Sequence, residues 1–206
     1  MTDASLPTRS PSDGITGHAS RVVGALFMTF LLLGTCWAVE VVNYADDGAL
    51  SGRYGIQPRD TGQIWHIFTA PFLHANLDHI MANSVPLAIF GFLAALRGVS
   101  RFVSVSLIII VVSGLGVFFL SAPGSVTVGA SGVIFGYFGY LLARGFVEHR
   151  AFDIVVAVVI AVFYGTMIFG ALPGQPGISW QAHMFGLIGG VIAAWMTRQR
   201  GSTLVR

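Results

Sequence analysis

The sequence contains no lysine; all 11 of its basic residues are arginine. Charge of either sign is scarce, at 10% of 206 residues, against 54% apolar residues. A water-facing surface carries roughly 25–35% charged side chains, so a soluble globular domain is excluded. The formal net charge of +2 leaves no electrostatic footprint for a nucleic-acid partner. A single cysteine, Cys36, excludes an internal disulfide. It follows Leu33-Gly34-Thr35 inside an apolar run, where a thiol is read as packing rather than as a lipid attachment point. The chain also lacks H-E-x-x-H, and His66, His74, His79 and His183 have no zinc-ligand spacing. Neither a metal nor a cofactor is expected.

What the chain has in abundance is long apolar sequence. Six segments approach the roughly 20 residues that cross a hydrocarbon core of about 30 Å. They cover about 22–43, Leu77–Leu96, 102–120, Ser131–Phe146, 152–171 and 180–197. The expected fold class is all-α: a polytopic membrane protein built as a six-transmembrane-helix bundle, with the lipid bilayer as its solvent. Residues 1–20, rich in Ser, Thr, Pro, Gly and Asp, read as a disordered cytoplasmic tail. The membrane domain is placed at 21–198, and 199–206 form a short C-terminal tail. The many glycines do not oppose helix here, because membrane helices use glycine for close packing.

Arginine placement predicts orientation. With both termini in the cytoplasm, Arg9, Arg21, Arg97, Arg101, Arg144, Arg150, Arg198, Arg200 and Arg206 are inside and only Arg53 and Arg59 are outside. That is the positive-inside pattern. The long stretch 44–76 then lies outside, with Tyr54, Ile56, Trp65, Ile67 and Phe68 suited to the interface. The uncharged connections 121–130 and 171–179 are also outside.

Polar groups inside apolar segments are costly and are functional candidates by default. The second segment holds His79 and Asn83, the fourth opens on Ser131, and the sixth holds His183. Counting back from Arg97, Arg144 and Arg198 at about 1.5 Å per residue puts all four at roughly 20–27 Å above an inner arginine ring. One layer on three helices is what a single site requires. Gly132-x-x-x-Gly136 and Gly186-x-x-x-Gly190 offer the small-residue spacing that lets two helices approach closely.

These residue types suit acyl transfer. A serine hydroxyl needs a base, and histidine is suited to that role near neutral pH. His79 and Asn83, four apart, share a helix face and both can donate to an oxyanion. Ser131 starts a helix, where free N–H groups and the positive helix end gather. No acid is expected as a third member: Asp153 and Glu148 belong to the inner end, and Asp78 precedes His79 on another helix. The competing account has Ser131 bonded to its own helix's carbonyl, with the His and Asn side chains merely tying helices together.

His74-x4-His79-x3-Asn83, Gly129-Ala130-Ser131-Gly132 and Ala182-His183-x2-Gly186-x3-Gly190 together resemble the signatures of the rhomboid family of intramembrane serine proteases. The resemblance spans about residues 22–197. It implies Ser131 as nucleophile, His183 as general base, and an oxyanion hole of His79, Asn83 and the Ser131 N–H. His74 would be structural, beneath the first outer loop. Gly129, Gly132, Gly186 and Gly190 would shape the site, and Phe135, where the family commonly has Tyr, would stack on the catalytic histidine. Trp65-His66 departs from the family's Trp-Arg. The implied partners are transmembrane protein substrates cut toward the outer face of a bacterial plasma membrane. The alternatives are a catalytically inactive rhomboid-like protein that binds membrane clients and a small transporter. Oligomeric state is not legible.

Overall fold

The computed structural model of the chain describes residues 11–198. Seven α-helices follow one another: α1 (Pro11–Ala45), α2 (Ala49–Tyr54), α3 (Leu77–Ala95), α4 (Val99–Leu120), α5 (Ser131–Glu148), α6 (Ala151–Tyr164) and α7 (Trp180–Met196). Three 3₁₀ segments, Thr61–Phe68, Ala70–Phe72 and Gly165–Ala171, complete the regular structure. Among the described residues there is no strand, only an isolated bridge between Ile56 and Thr127. The chain is therefore all-helical. Six of the helices are long, and each lies in one of the six apolar runs, α6 filling only the first part of its own.

Four of them satisfy length and composition for a membrane span: α1, α3, α4, and α6 with its 3₁₀ continuation. The remaining two are shorter, α5 at 18 residues and α7 at 17. α1 begins at Pro11, ahead of its apolar run. Extending an established helix adds a hydrogen bond per residue without a new nucleus, which lets a polar stretch follow an apolar one into helix. The parts of the two expected tails at 1–10 and 199–206 lie outside the described residues.

α5 is the central element, buried continuously from Gly132 to Leu141. α7 packs along it and along α4, while α3 joins α1 to α5. The α5–α7 crossing is set by backbone. A methyl group on Gly186 would collide with the carbonyl of Gly132, and one on Gly190 with the carbonyl of Gly136. The small-residue motifs thus face each other as the spacing predicts. On the outside, α1 and α6 carry large exposed apolar side chains such as Phe27, Phe30, Val162 and Phe163. A contiguous apolar exterior of this kind marks a surface meant for lipid.

At the end of the bundle that carries Arg97, Arg101 and Arg144, the arginines are drawn into ion pairs. Arg144 is fully buried. Its Nε lies 2.9 Å from Asp153 Oδ1, its Nη1 donates to Leu93 O at 3.4 Å, and Arg97 pairs with the same Asp153. Arg101 pairs with Glu148. A buried guanidinium is tolerated only where its charge is met, and Asp153 from α6 supplies the counter-charge, while Arg144 Nη2 is left without a hydrogen-bond partner among the described residues.

Candidate active site

Three connections frame the N-terminal end of α5. Asn76 caps α3, its Oδ1 accepting from the His79 N–H at 2.9 Å. Ser179 caps α7 in the same way through the Ala182 N–H at 3.3 Å. α5 has no such cap: Ala130 offers no side chain to the first turn. The N–H groups at the start of α5, beginning with that of Ser131, are left without a capping side chain.

A cavity of about 900 Å³ opens there, and Ser131, His183, His79 and Asn83 all line it. The structure thus brings together the four residues singled out in the sequence. Ser131 makes no side-chain hydrogen bond among the described residues, unlike Ser84, Ser106 and Thr29, each of which bonds the carbonyl four residues back. As the first residue of its helix, Ser131 has no helical carbonyl behind it. Its hydroxyl is free and is not bonded to His183 in this state.

The histidine tautomers follow from their partners. His183 Nδ1 lies 2.8 Å from Gly170 O. A carbonyl only accepts, so Nδ1 carries the proton and Nε2 is the basic nitrogen. Phe135 stacks on the ring, centroids 4.0 Å apart and planes within 9°. On His79, Nδ1 accepts from the Ala75 N–H at 3.5 Å, which leaves the proton on Nε2. That Nε2 sits against Gly129, whose φ of +119° is a conformation other residues rarely adopt. A side chain at 129 would strike His79. Asn83 Nδ2 flanks the same glycine and is buried without a hydrogen-bond partner among the described residues. Two donors and the α5 terminus are therefore uncommitted next to one nucleophilic hydroxyl.

His74 lies in the connection before α3, ahead of the helix that carries His79. The turn at Ala75-Asn76 brings the two rings edge to face, 5.1 Å apart. His74 is fully buried, and its Nε2 accepts from the Ala130 N–H at 3.5 Å. Burial, and secondarily the neighbouring His79, push His74 down to about 4. His66 stands where an arginine was expected to anchor the outer connection, and its buried Nδ1 donates to Gly55 O at 2.9 Å. Two groups escaped the sequence reading. Glu40 and Asn43 on α1 are both buried and hydrogen-bonded to each other. The rule that flagged His79, an ionisable group inside an apolar run, applies equally to Glu40.

The rhomboid domain profile matches residues 61–200. An uncharacterized protein of Mycobacterium tuberculosis is 39% identical over 197 residues, covering 91% of this chain and 81% of its own length. A Bacillus subtilis protein named for a rhomboid protease, YdcA, is 28% identical over 141 residues, 68% of this chain and 70% of that one. RHOMBOID-like protein 6, mitochondrial, of Arabidopsis thaliana is 29% identical over 146 residues, 69% of this chain and 46% of that one. The chain is an integral membrane protein with a cavity at one end of its helices lined by Ser131, His183, His79 and Asn83. It belongs to the rhomboid family.

Proposed function

We propose that the chain is an intramembrane serine protease that cleaves transmembrane segments by a Ser131–His183 dyad. The observation that carries this reading is the pairing of a free Ser131 hydroxyl at an uncapped helix start with a His183 whose Nδ1 is tied to Gly170 O. His183 Nε2 takes the Ser131 proton as Oγ attacks the scissile carbonyl. The oxyanion receives hydrogen bonds from His79 Nε2–H, Asn83 Nδ2–H and the Ser131 N–H. The imidazolium then protonates the leaving amine, and water, deprotonated by the same histidine, hydrolyses the acyl-enzyme. The Ser–His contact absent from the resting state closes when substrate enters, as catalytic contacts commonly do. All six long helices cross the bilayer in this reading, both termini inside and the cavity toward the outer face. α5 and α7 extend about 27 and 26 Å at 1.5 Å per residue, and their neighbours shield them from lipid.

A second reading, an inactive rhomboid-like protein that binds membrane clients, is favoured only by the open Ser131–His183 pair. Fluorophosphonate labelling separates the two. The wild type labels, whereas Ser131→Ala and His183→Ala do not, and a reconstituted transmembrane substrate is cut only by the wild type. A wild type that neither labels nor cuts establishes the second reading.

A further inference from the structure

Among the described residues Glu40 is the one buried acid at the cavity end of the helices, 1% exposed near the end of the first apolar run. Burying a carboxylate in a membrane helix is costly unless it performs a task, and the acyl-transfer scheme above gives it none. Its Oε2 accepts from Asn43 Nδ2 at 3.3 Å. That carboxyl oxygen accepts, so it draws the amide NH₂ rather than the amide oxygen. The orientation of Asn43 is thereby fixed. Its Oδ1 then faces the Ser51 N–H at 3.1 Å, and its Nδ2 also donates to His74 O at 3.0 Å. Ser51 Oγ donates to the same carbonyl at 2.9 Å. His74 carries the chain onward, with Nε2 on the Ala130 N–H and its ring edge against His79.

We propose, on the protease reading, that Glu40 is a positioning residue of the oxyanion hole. By orienting Asn43 it holds the His74 main chain, and His74 sets both the His79 ring and the turn that presents the Ser131 N–H. The carboxylate acts as a hydrogen-bond acceptor, so Glu40→Gln substitutes for it and Glu40→Ala does not.

The test uses the full chain with ¹⁵N-labelled histidine in detergent micelles, signals assigned by single-histidine substitutions. Glu40→Ala shifts the ring nitrogens of His74 and His79 while leaving those of His66 unchanged. Turnover per fluorophosphonate-reactive Ser131 falls about 10- to 100-fold, the scale of a misplaced catalytic group, and KM stays within about twofold. Glu40→Gln returns turnover to within about threefold of wild type. Asn43→Ala cuts the same link from the other side and reproduces the loss, which keeps the test decisive if Glu40→Ala does not fold. Unchanged His74 and His79 signals in Glu40→Ala or Asn43→Ala overturn the proposal. So does a loss confined to KM or to the folded fraction. If the wild type neither cleaves nor labels, the protease reading has failed, while the ring signals still decide whether Glu40 holds the two histidines.

Discussion

Ser131 differs from Ser84, Ser106 and Thr29 in having no helical carbonyl one turn behind it. That vacancy arises from position, not residue type. Replacing one oxyanion-hole donor costs about 10²–10³-fold in kcat where the hole carries the chemistry. Asn83→Ala is therefore expected to lower kcat by that order with KM little changed, measured on a reconstituted transmembrane substrate. His74 gives a prediction in pH. Its folded value, about 4, lies below the ordinary 6.5, so the unfolded chain binds the extra proton first on acidification. The stability it contributes is complete above about pH 6.5 and is lost as pH falls toward 4, about 3 kcal/mol in all at 1.36 kcal/mol per unit. Thermal unfolding in detergent should accordingly weaken with acid less steeply in His74→Gln than in wild type. Most of these side chains were legible in the sequence, because a polar residue in an apolar run is conspicuous. The partner of His183 was not. Gly170 contributes a main-chain carbonyl from a distant segment, and no side-chain pattern encodes that.

The helices were legible to different degrees for one physical reason. An apolar run in lipid has to satisfy its own backbone, and helix is the only local way to do it. α3, α4 and α7 therefore follow their runs within a few residues. Where the backbone can find other partners the pattern fails. The run 152–171 reads as one helix, yet α6 ends at Tyr164 and the chain tightens to 3₁₀ through Gly165–Ala171. Gly170 O is released there to His183. The outer stretch 44–76 hides α2 and two 3₁₀ segments, because its bonds run between distant positions, such as Thr69 Oγ1 to Tyr54 O at 2.8 Å. At this scale the α5–α7 crossing is the sensitive joint. Gly190→Ala would push a methyl into the Gly136 carbonyl, and overpacking of a tight contact costs about 1–3 kcal/mol. Gly34→Ala is the control. Nothing lies within 4 Å of a methyl there, and alanine favours a helix interior by up to about 1 kcal/mol. Melting in detergent should fall for Gly190→Ala and hold or rise for Gly34→Ala.

The whole molecule is divided by depth. Its buried ion pairs gather at one end, where Asp153 on α6 joins Arg144 on α5 to Arg97 after α3, and Glu148 joins Arg101. Its cavity opens at the other end, rimmed by residues of the uncharged connections 121–130 and 171–179 and by the start of α3. The first end is where the arginine count puts the cytoplasm, since cytoplasmic flanks carry the excess of basic residues. Charge and cavity thus mark opposite ends of the bundle, and the orientation can be tested without reference to activity. In a Cys36→Ala background, Ala122→Cys puts a thiol at an exposed position on the cavity rim, and Ser100→Cys puts one at an exposed position at the arginine end. A membrane-impermeant maleimide applied to intact cells should label position 122 at once and position 100 only after permeabilisation. Labelling of position 100 in intact cells would invert the topology, put the cavity inside, and require substrates presented from the cytoplasmic face.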